Sequence, residues 1–219
     1  MQTPDHTSVS TVDAQLLVAP GCPHCAGVLE GLGTLVKEGT VARLEVVNIA
    51  VQPEVARASN VRSVPWMRIG SFELSGLHTL EELRHWVKLA GQEDGMTHYL
   101  ADLLATGRRH QVTERVRQDP SLLSRLVDLL ADRETGLSVR IGVMATLEEF
   151  QESDLLGDLA DQLVPLTRNT ESRIRADASH ALSLTGVTAV IDVLRPLTED
   201  ADPEVRETAI DAIDSLEAR

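Results

Sequence analysis

Leu16-Leu17-Val18-Ala19-Pro20-Gly21-Cys22-Pro23-His24-Cys25 is the segment from which the rest of this chain can be read. An apolar run leads into two cysteines three positions apart, and a helical pattern follows. These are the only 2 cysteines in 219 residues. One close pair cannot staple a fold of this size, so it reads as reactive rather than structural. A thiolate at a helix N-terminus gains from unsatisfied backbone N–H groups and the positive end of the dipole. Cys22 is therefore expected to be acidified and nucleophilic. Cys25, one turn further in, is placed to attack a mixed disulfide formed on Cys22, and the expected chemistry is thiol–disulfide exchange.

Composition limits what else the chain does. Its length suits two modest domains, each able to bury a core. The net charge of −14 is unevenly placed: residues up to Asp94 carry 11 acids and 7 bases, a net −4, and the remainder carries −10. Such acidity argues against nucleic-acid binding, because phosphate contacts need clustered Lys and Arg. An electrostatically steered partner is expected to be basic. The first ten residues are polar, with no basic segment leading into an apolar one, so no signal peptide is expected and the compartment expected is the cytoplasm. No apolar run approaches the roughly 20 residues that span a bilayer, so no membrane partner is expected.

From 13 to 91 short strand-like runs alternate with helical ones. Ala14 to Val18 reads as a strand. Cys25 to Lys37 places Val28, Leu29, Leu32, Leu35 and Val36 at helical spacing, ending near Gly39. Val41 to Ile49 reads as a second, buried strand, and Gln52 to Ser59, with Pro53 in the first turn, as a short helix. After Val64-Pro65, Trp66 to Ile69 and Ser71 to Leu74 form a hairpin turning near Gly70. Thr79 caps a helix with Glu81 and Glu82 in its first turn, running to Gly91. The order is βαβαββα.

With the CxxC at a strand-to-helix turn, this order and Val64-Pro65, the segment resembles a minimal thioredoxin fold, close to glutaredoxin-like and small disulfide-oxidoreductase domains. The resemblance implies that Pro65 is cis beside the dithiol and that Val64, with its backbone exposed, pairs with an extended peptide substrate. Two features depart from the family pattern. Gly21 stands where an aromatic is usual, and Leu16 and Leu17 stand where the preceding strand usually carries a buried aspartate, so Cys25 lacks the familiar base for its deprotonation. Pro23-His24 makes the motif CPHC, similar to bacterial periplasmic thiol oxidases. A histidine there stabilises the Cys22 thiolate and makes the disulfide more oxidising.

Residues 92–95 read as a short polar linker, and from 96 to 219 helix follows helix. Val139-Arg140, Ile174-Arg175 and Val205-Arg206 each open a run with small or apolar residues at the same offsets, with arginine spacings of 35 and 31 residues. Each run follows another apolar helix: Leu122 to Leu130, Leu159 to Leu166 and Ala189 to Leu197. With the turn Asp200-Ala201-Asp202-Pro203, this resembles HEAT repeats, whose stacked pairs share a core that one pair cannot build alone. Met96 to Thr106 and Gln111 to Val116 are read as a fourth, degenerate pair. The repeat arginines are expected to bond carbonyls and acidic turns of neighbouring units rather than to form an anion-binding ladder.

The fold class expected is thus α/β plus α: a flexible 1–12, a thioredoxin-like domain at 13–91, the linker, and an all-α HEAT-like domain at 96–219. The candidate catalytic residues are Cys22, Cys25, His24 and Pro23, with Val64 and Pro65 holding substrate. A metal half-site of Cys22, His24 and Cys25 is the rival reading of the motif. No second CxxC or paired-histidine motif closes a four-ligand zinc site, so no metal and no cofactor are expected. The partners expected are a protein thiol or disulfide client docked by the repeats, and an upstream reductase or oxidant. The alternative function is a redox-sensing scaffold whose repeats bind a partner in one redox state only.

Overall fold

A computed structural model describes residues 11–151 and 153–218. The chain divides into two compact units, Met1–His98 and Tyr99–Arg219. Of the expected flexible stretch 1–12, all but Thr11 and Val12 lies outside the described residues, and Val12 already belongs to the first strand.

In the first unit, β1 (Val12–Val18), α1 (Cys25–Lys37), β2 (Val41–Asn48), α2 (Pro53–Ala58), β3 (Trp66–Ile69), β4 (Phe72–Ser75) and α3 (Leu80–Ala90) succeed one another in the expected order. The sheet order is β2-β1-β3-β4. β1 runs parallel to β2 and antiparallel to β3, which forms a hairpin with β4. The strand expected to be buried, β2, is instead an edge strand. Val41 and Val47 are buried on it, but Val46 is 43 % exposed. An edge strand has a neighbour on one side only, so its aliphatic residues need not all find cover.

Along β1, Val12, Ala14 and Leu16 share one face, and Leu17 lies on the other. Leu17 sits opposite both Val47 and Trp66 in the ladder, and with Ala56 of α2 these form one small core. Val64 packs against it. Only Val18, paired with Asn48, follows this row before the chain leaves β1 for the cysteines, so the row anchors the end of the sheet where the site lies. α3 begins with a complete capping box: Thr79 accepts from the Glu82 N–H while Glu82 accepts from the Thr79 N–H. Trp86 on α3 is buried edge-on against Phe72, with centroids 5.9 Å apart.

The stretch 92–95 is a tight turn, with Gln92 N–H donating to Leu89 O at 2.9 Å and Gly95 N–H to Gln92 O at 3.2 Å. It leads into α4 (Gly95–Ala105), and the boundary between the units falls inside that helix. A Cβ on Gly95 would sit 1.8 Å from the Leu89 carbonyl oxygen, so only glycine fits there.

The second unit continues with α5 (Arg109–Gln118), α6 (Leu122–Ala131), α7 (Leu137–Glu149), α8 (Ala160–Leu163), α9 (Ser172–Leu184), α10 (Ile191–Leu194) and α11 (Pro203–Glu217). The helices expected at Leu159–Leu166 and Ala189–Leu197 are broken. Only α8 and α10 are α-helical, each flanked by tighter 3-10 turns, Asp154–Leu159 and Val164–Arg168 around α8, Thr188–Val190 and Arg195–Glu199 around α10. Pro165 and Pro196 sit at the second position of the trailing 3-10 turns. Each removes an N–H that the α-helix would use, and the chain closes into a tighter turn there.

The three repeat arginines are structural. Arg140 Nη1 donates to the carbonyls of Leu130 and Asp132 at 3.1 and 3.4 Å, and Nη2 pairs with Asp177 on α9. Arg175 Nη1 donates to Asn169 O and Thr170 O at 2.8 and 3.1 Å, while Nε and Nη2 grip the Asp200 carboxylate at 2.8 and 2.7 Å. Arg206 Nη1 donates to Asp200 O and Ala201 O at 2.8 and 3.1 Å. Each guanidinium thus ties the turn before its own helix, and the first two also clamp an aspartate of the following repeat. An anion-binding ladder is excluded for Arg140 and Arg175 because their forks are already filled.

Candidate functional site

The chain leaves β1 through a turn at Ala19-Pro20-Gly21-Cys22, closed by Cys22 N–H donating to Ala19 O at 3.3 Å. Gly21 has φ of 77°, and with Pro20 before it the turn is type II, which requires positive φ at its third position. The glycine that departs from the family pattern is thus what turns the backbone into the CxxC. Residue spacing conceals this role, and the Pro-Gly pair is the signal that could have revealed it.

Cys22 and Cys25 form a disulfide, with Cα atoms 5.5 Å apart. Cys22 is partly exposed, whereas Cys25 is buried as the first residue of α1. Pro23 and His24 between them are exposed, and His24 is the N-cap residue but makes no side-chain cap bond. The first turn of α1 carries no acid either. Its orphan N–H groups are therefore not neutralised by a neighbouring side chain, an arrangement that favours negative charge on a sulfur released beside it.

Val64-Pro65 is a cis peptide. The Val64 carbonyl oxygen lies 3.7 Å from Cys22 Sγ, so the loop faces the outer sulfur directly. The disulfide has no proton to donate to that oxygen, whereas a Cys22 thiol has one. Pro65 is buried and Val64 is half-buried against the Leu17 core. Pro65 O accepts from Gly76 N–H at 2.9 Å, which ties the end of β4 to the same loop. Gly76 and the exposed Leu77 after it border the site, and sequence reasoning missed them. The six residues expected from the sequence thus gather at one end of the sheet. On β1 before the motif, Leu16 and Leu17 are fully buried aliphatics, so this end of the strand supplies no carboxylate to the site.

A family model described as thioredoxin domain matches residues 12–88. One described as HEAT repeats matches residues 123–214. The chain joins a thioredoxin-like domain to HEAT repeats. Among curated proteins no match is found. In the thioredoxin-like domain the bonded Cys22–Cys25 pair supports redox activity. Among the described residues no group of three or more His, Cys, Asp or Glu is placed to hold a metal ion, and no helix is long and apolar enough to cross a membrane. Glu149 receives Arg109 Nη1 at 2.7 Å and Arg117 Nη2 at 2.6 Å, and the Arg109 hydrogen bond holds its carboxyl below the usual range.

Proposed function

We propose that this protein is a thiol–disulfide oxidoreductase acting on a protein client, with Cys22 the exchanging sulfur and Cys25 the resolving one. What supports the reading most directly is the partly exposed Cys22 Sγ, bonded to buried Cys25 and 3.7 Å from the carbonyl oxygen that precedes a cis proline. Attack is geometrically possible at the outer sulfur and obstructed at the inner one.

In the oxidising direction a client thiolate attacks Cys22 Sγ. The Cys22–Cys25 bond breaks, a client–Cys22 disulfide forms, and the Cys25 thiolate takes a proton. A second client thiolate then attacks the client sulfur of the mixed disulfide and releases the Cys22 thiolate. The client loses two electrons and the CPHC dithiol gains them; the reverse sequence reduces a client disulfide. His24, at the N-cap, biases Cys22 toward the thiolate. Val64 offers backbone groups to an extended client segment, and Pro65 fixes that loop. The HEAT repeats dock the client, and an upstream reductase or oxidant resets the dithiol.

Trapping tests this. A Cys25→Ser variant is expected to accumulate mixed disulfides through Cys22, and Cys22→Ser is expected to accumulate none. Turnover on a peptide disulfide that survives Cys22→Ser refutes the assignment. Absent turnover, with partner binding that changes on oxidation, replaces it with the redox-sensing scaffold.

A further inference from the structure

A groove of about 370 Å³ opens between α1 and the Leu77–Leu80 segment. One wall is the α1 line Gly27, Glu30, Gly31 and Thr34, which continues by helical spacing from His24 at the N-cap. The other wall starts at Leu77, next to Gly76, whose N–H is bonded to Pro65 O. Both walls thus begin at the disulfide and lead away from it. At Gly27 that wall is bare backbone beside open space, since a Cβ there would meet nothing within 4 Å.

The lining combines one apolar surface with one unpaired carboxylate. Leu77 is 57 % exposed. Glu30 is exposed, and its carboxylate has no ion pair or hydrogen bond among the described residues. His78 Nδ1 is buried and has no hydrogen-bond partner among the described residues. The nearest carboxylate, Glu82, is 4.0 Å away and is committed to the capping box, accepting from Thr79 N–H at 2.7 Å and Thr79 Oγ1 at 3.0 Å. The enclosed Nδ1 presents no surface to a ligand, so Glu30 is the polar group of the lining that asks for a donor.

We propose that this groove takes an arginine or lysine side chain of the client, from a residue near the cysteine that exchanges with Cys22. This rests on the oxidoreductase reading and adds a specificity to it. The aliphatic stem lies along Leu77 and over Gly27, and the cationic head reaches Glu30. A long cation meets both features at once. A carboxylate is repelled by Glu30, and an aliphatic side chain leaves that carboxylate without a counter-charge.

The test uses the full chain carrying Cys25→Ser, reduced, and seven-residue peptides whose single central cysteine is capped as a disulfide with thionitrobenzoate. Cys22 thiolate attacks the peptide sulfur, the peptide–Cys22 disulfide forms, and coloured thionitrobenzoate leaves, so absorbance gives the rate. Arg, Ala or Glu is placed in turn at each of the six flanking positions. At one or more positions the Arg peptide is expected to react about tenfold faster than its Ala counterpart at low ionic strength, with the ratio shrinking as salt rises. That ratio is expected to fall toward one with Glu30→Gln and to favour the Glu peptide with Glu30→Lys. Ratios within about twofold at all six positions, or an Arg preference untouched by Glu30→Gln, overturn the groove assignment while leaving exchange at Cys22 intact. Failure of every peptide, the Ala series included, to release the chromophore overturns the oxidoreductase reading and the groove with it.

Discussion

Replacing Arg175 with leucine is expected to unfasten the last two HEAT repeats from one another. The guanidinium holds Asp200 through two bonds of 2.8 and 2.7 Å and two carbonyls through bonds of 2.8 and 3.1 Å. The two side chains are only 16 % and 10 % exposed. Breaking such a pair costs about 3–5 kcal/mol, much of it from the charge left behind. Asp200 keeps the Asp202 N–H at 2.9 Å, which places the expected loss near the lower end, about 3 kcal/mol. With a urea m-value of about 2 kcal/mol/M, the midpoint falls by about 1.5 M. Two probes separate the units: both tryptophans, Trp66 and Trp86, lie in the first, while most of the helix lies in the second. Ellipticity at 222 nm is expected to shift and tryptophan fluorescence to stay. The effect has a pH signature. Arg175 first, then the Asp202 N–H, hold the Asp200 carboxyl below its usual range. A depressed carboxyl contributes stability that is present above its unfolded value, about 3.9, and is lost as pH falls through the lower folded value. The gap between wild type and Arg175→Leu is therefore expected to close below about pH 4. A double-mutant cycle with Asp200→Asn that gives a coupling under about 0.5 kcal/mol at pH 7, or a gap that widens on acidification, refutes the clamp.

Gly21→Ala puts a side chain at a φ of 77°, where open space surrounds the new Cβ but the backbone itself is disfavoured; fluorescence-monitored unfolding should show a loss of about 1 kcal/mol, with slower opening of the disulfide by a small dithiol. Thr79→Ala removes the capping box of α3 and is expected to cost about 1 kcal/mol by the same fluorescence measurement, with the helical-repeat transition unmoved. Gly95→Ala forces a Cβ onto the Leu89 carbonyl at 1.8 Å and is expected to cost about 2–3 kcal/mol in thermal or urea unfolding; an unchanged midpoint would show that the turn at 92–95 relaxes freely.

The site was legible from the sequence because its parts are local signals: a CxxC after an apolar run, and a proline before a strand. The features that stayed hidden depended on neighbours. Val41 to Ile49 is as apolar as a central strand, and only the sheet order, which ends at β2, explains why Val46 meets solvent. The broken helices around α8 and α10 carry Pro165 and Pro196 in plain view, yet apolar periodicity outweighed them because a 3-10 turn keeps a similar spacing over a few residues. Gly21 looked like a lost aromatic because its role is a torsion angle, which a residue name does not display.

Unequal burial makes the two sulfurs unequal once the bond between them opens. Reduction leaves Cys22 partly exposed beside the uncapped N–H groups of α1 and Cys25 buried, while β1 leads into the motif with the enclosed aliphatics Leu16 and Leu17 and no carboxylate. An anion on the first is favoured by its surroundings and one on the second is not, because apolar burial penalises the charged form. On the proposed exchange, deprotonating Cys25 is then expected to be the slow half of the cycle, and a client on Cys22 is expected to reside there longer than it would if a carboxylate stood on β1. Leu16→Asp supplies that group. It is expected to speed the release of a peptide from the Cys22 mixed disulfide near neutral pH and to leave the first attack on that sulfur within about twofold, while costing stability from an unpaired buried polar group of about 1–3 kcal/mol. Release measured by peptide liberation after rapid mixing decides the matter, with unfolding midpoints showing that the variant is folded. Equal release rates in wild type and variant would mean that proton transfer from Cys25 is not what limits the cycle.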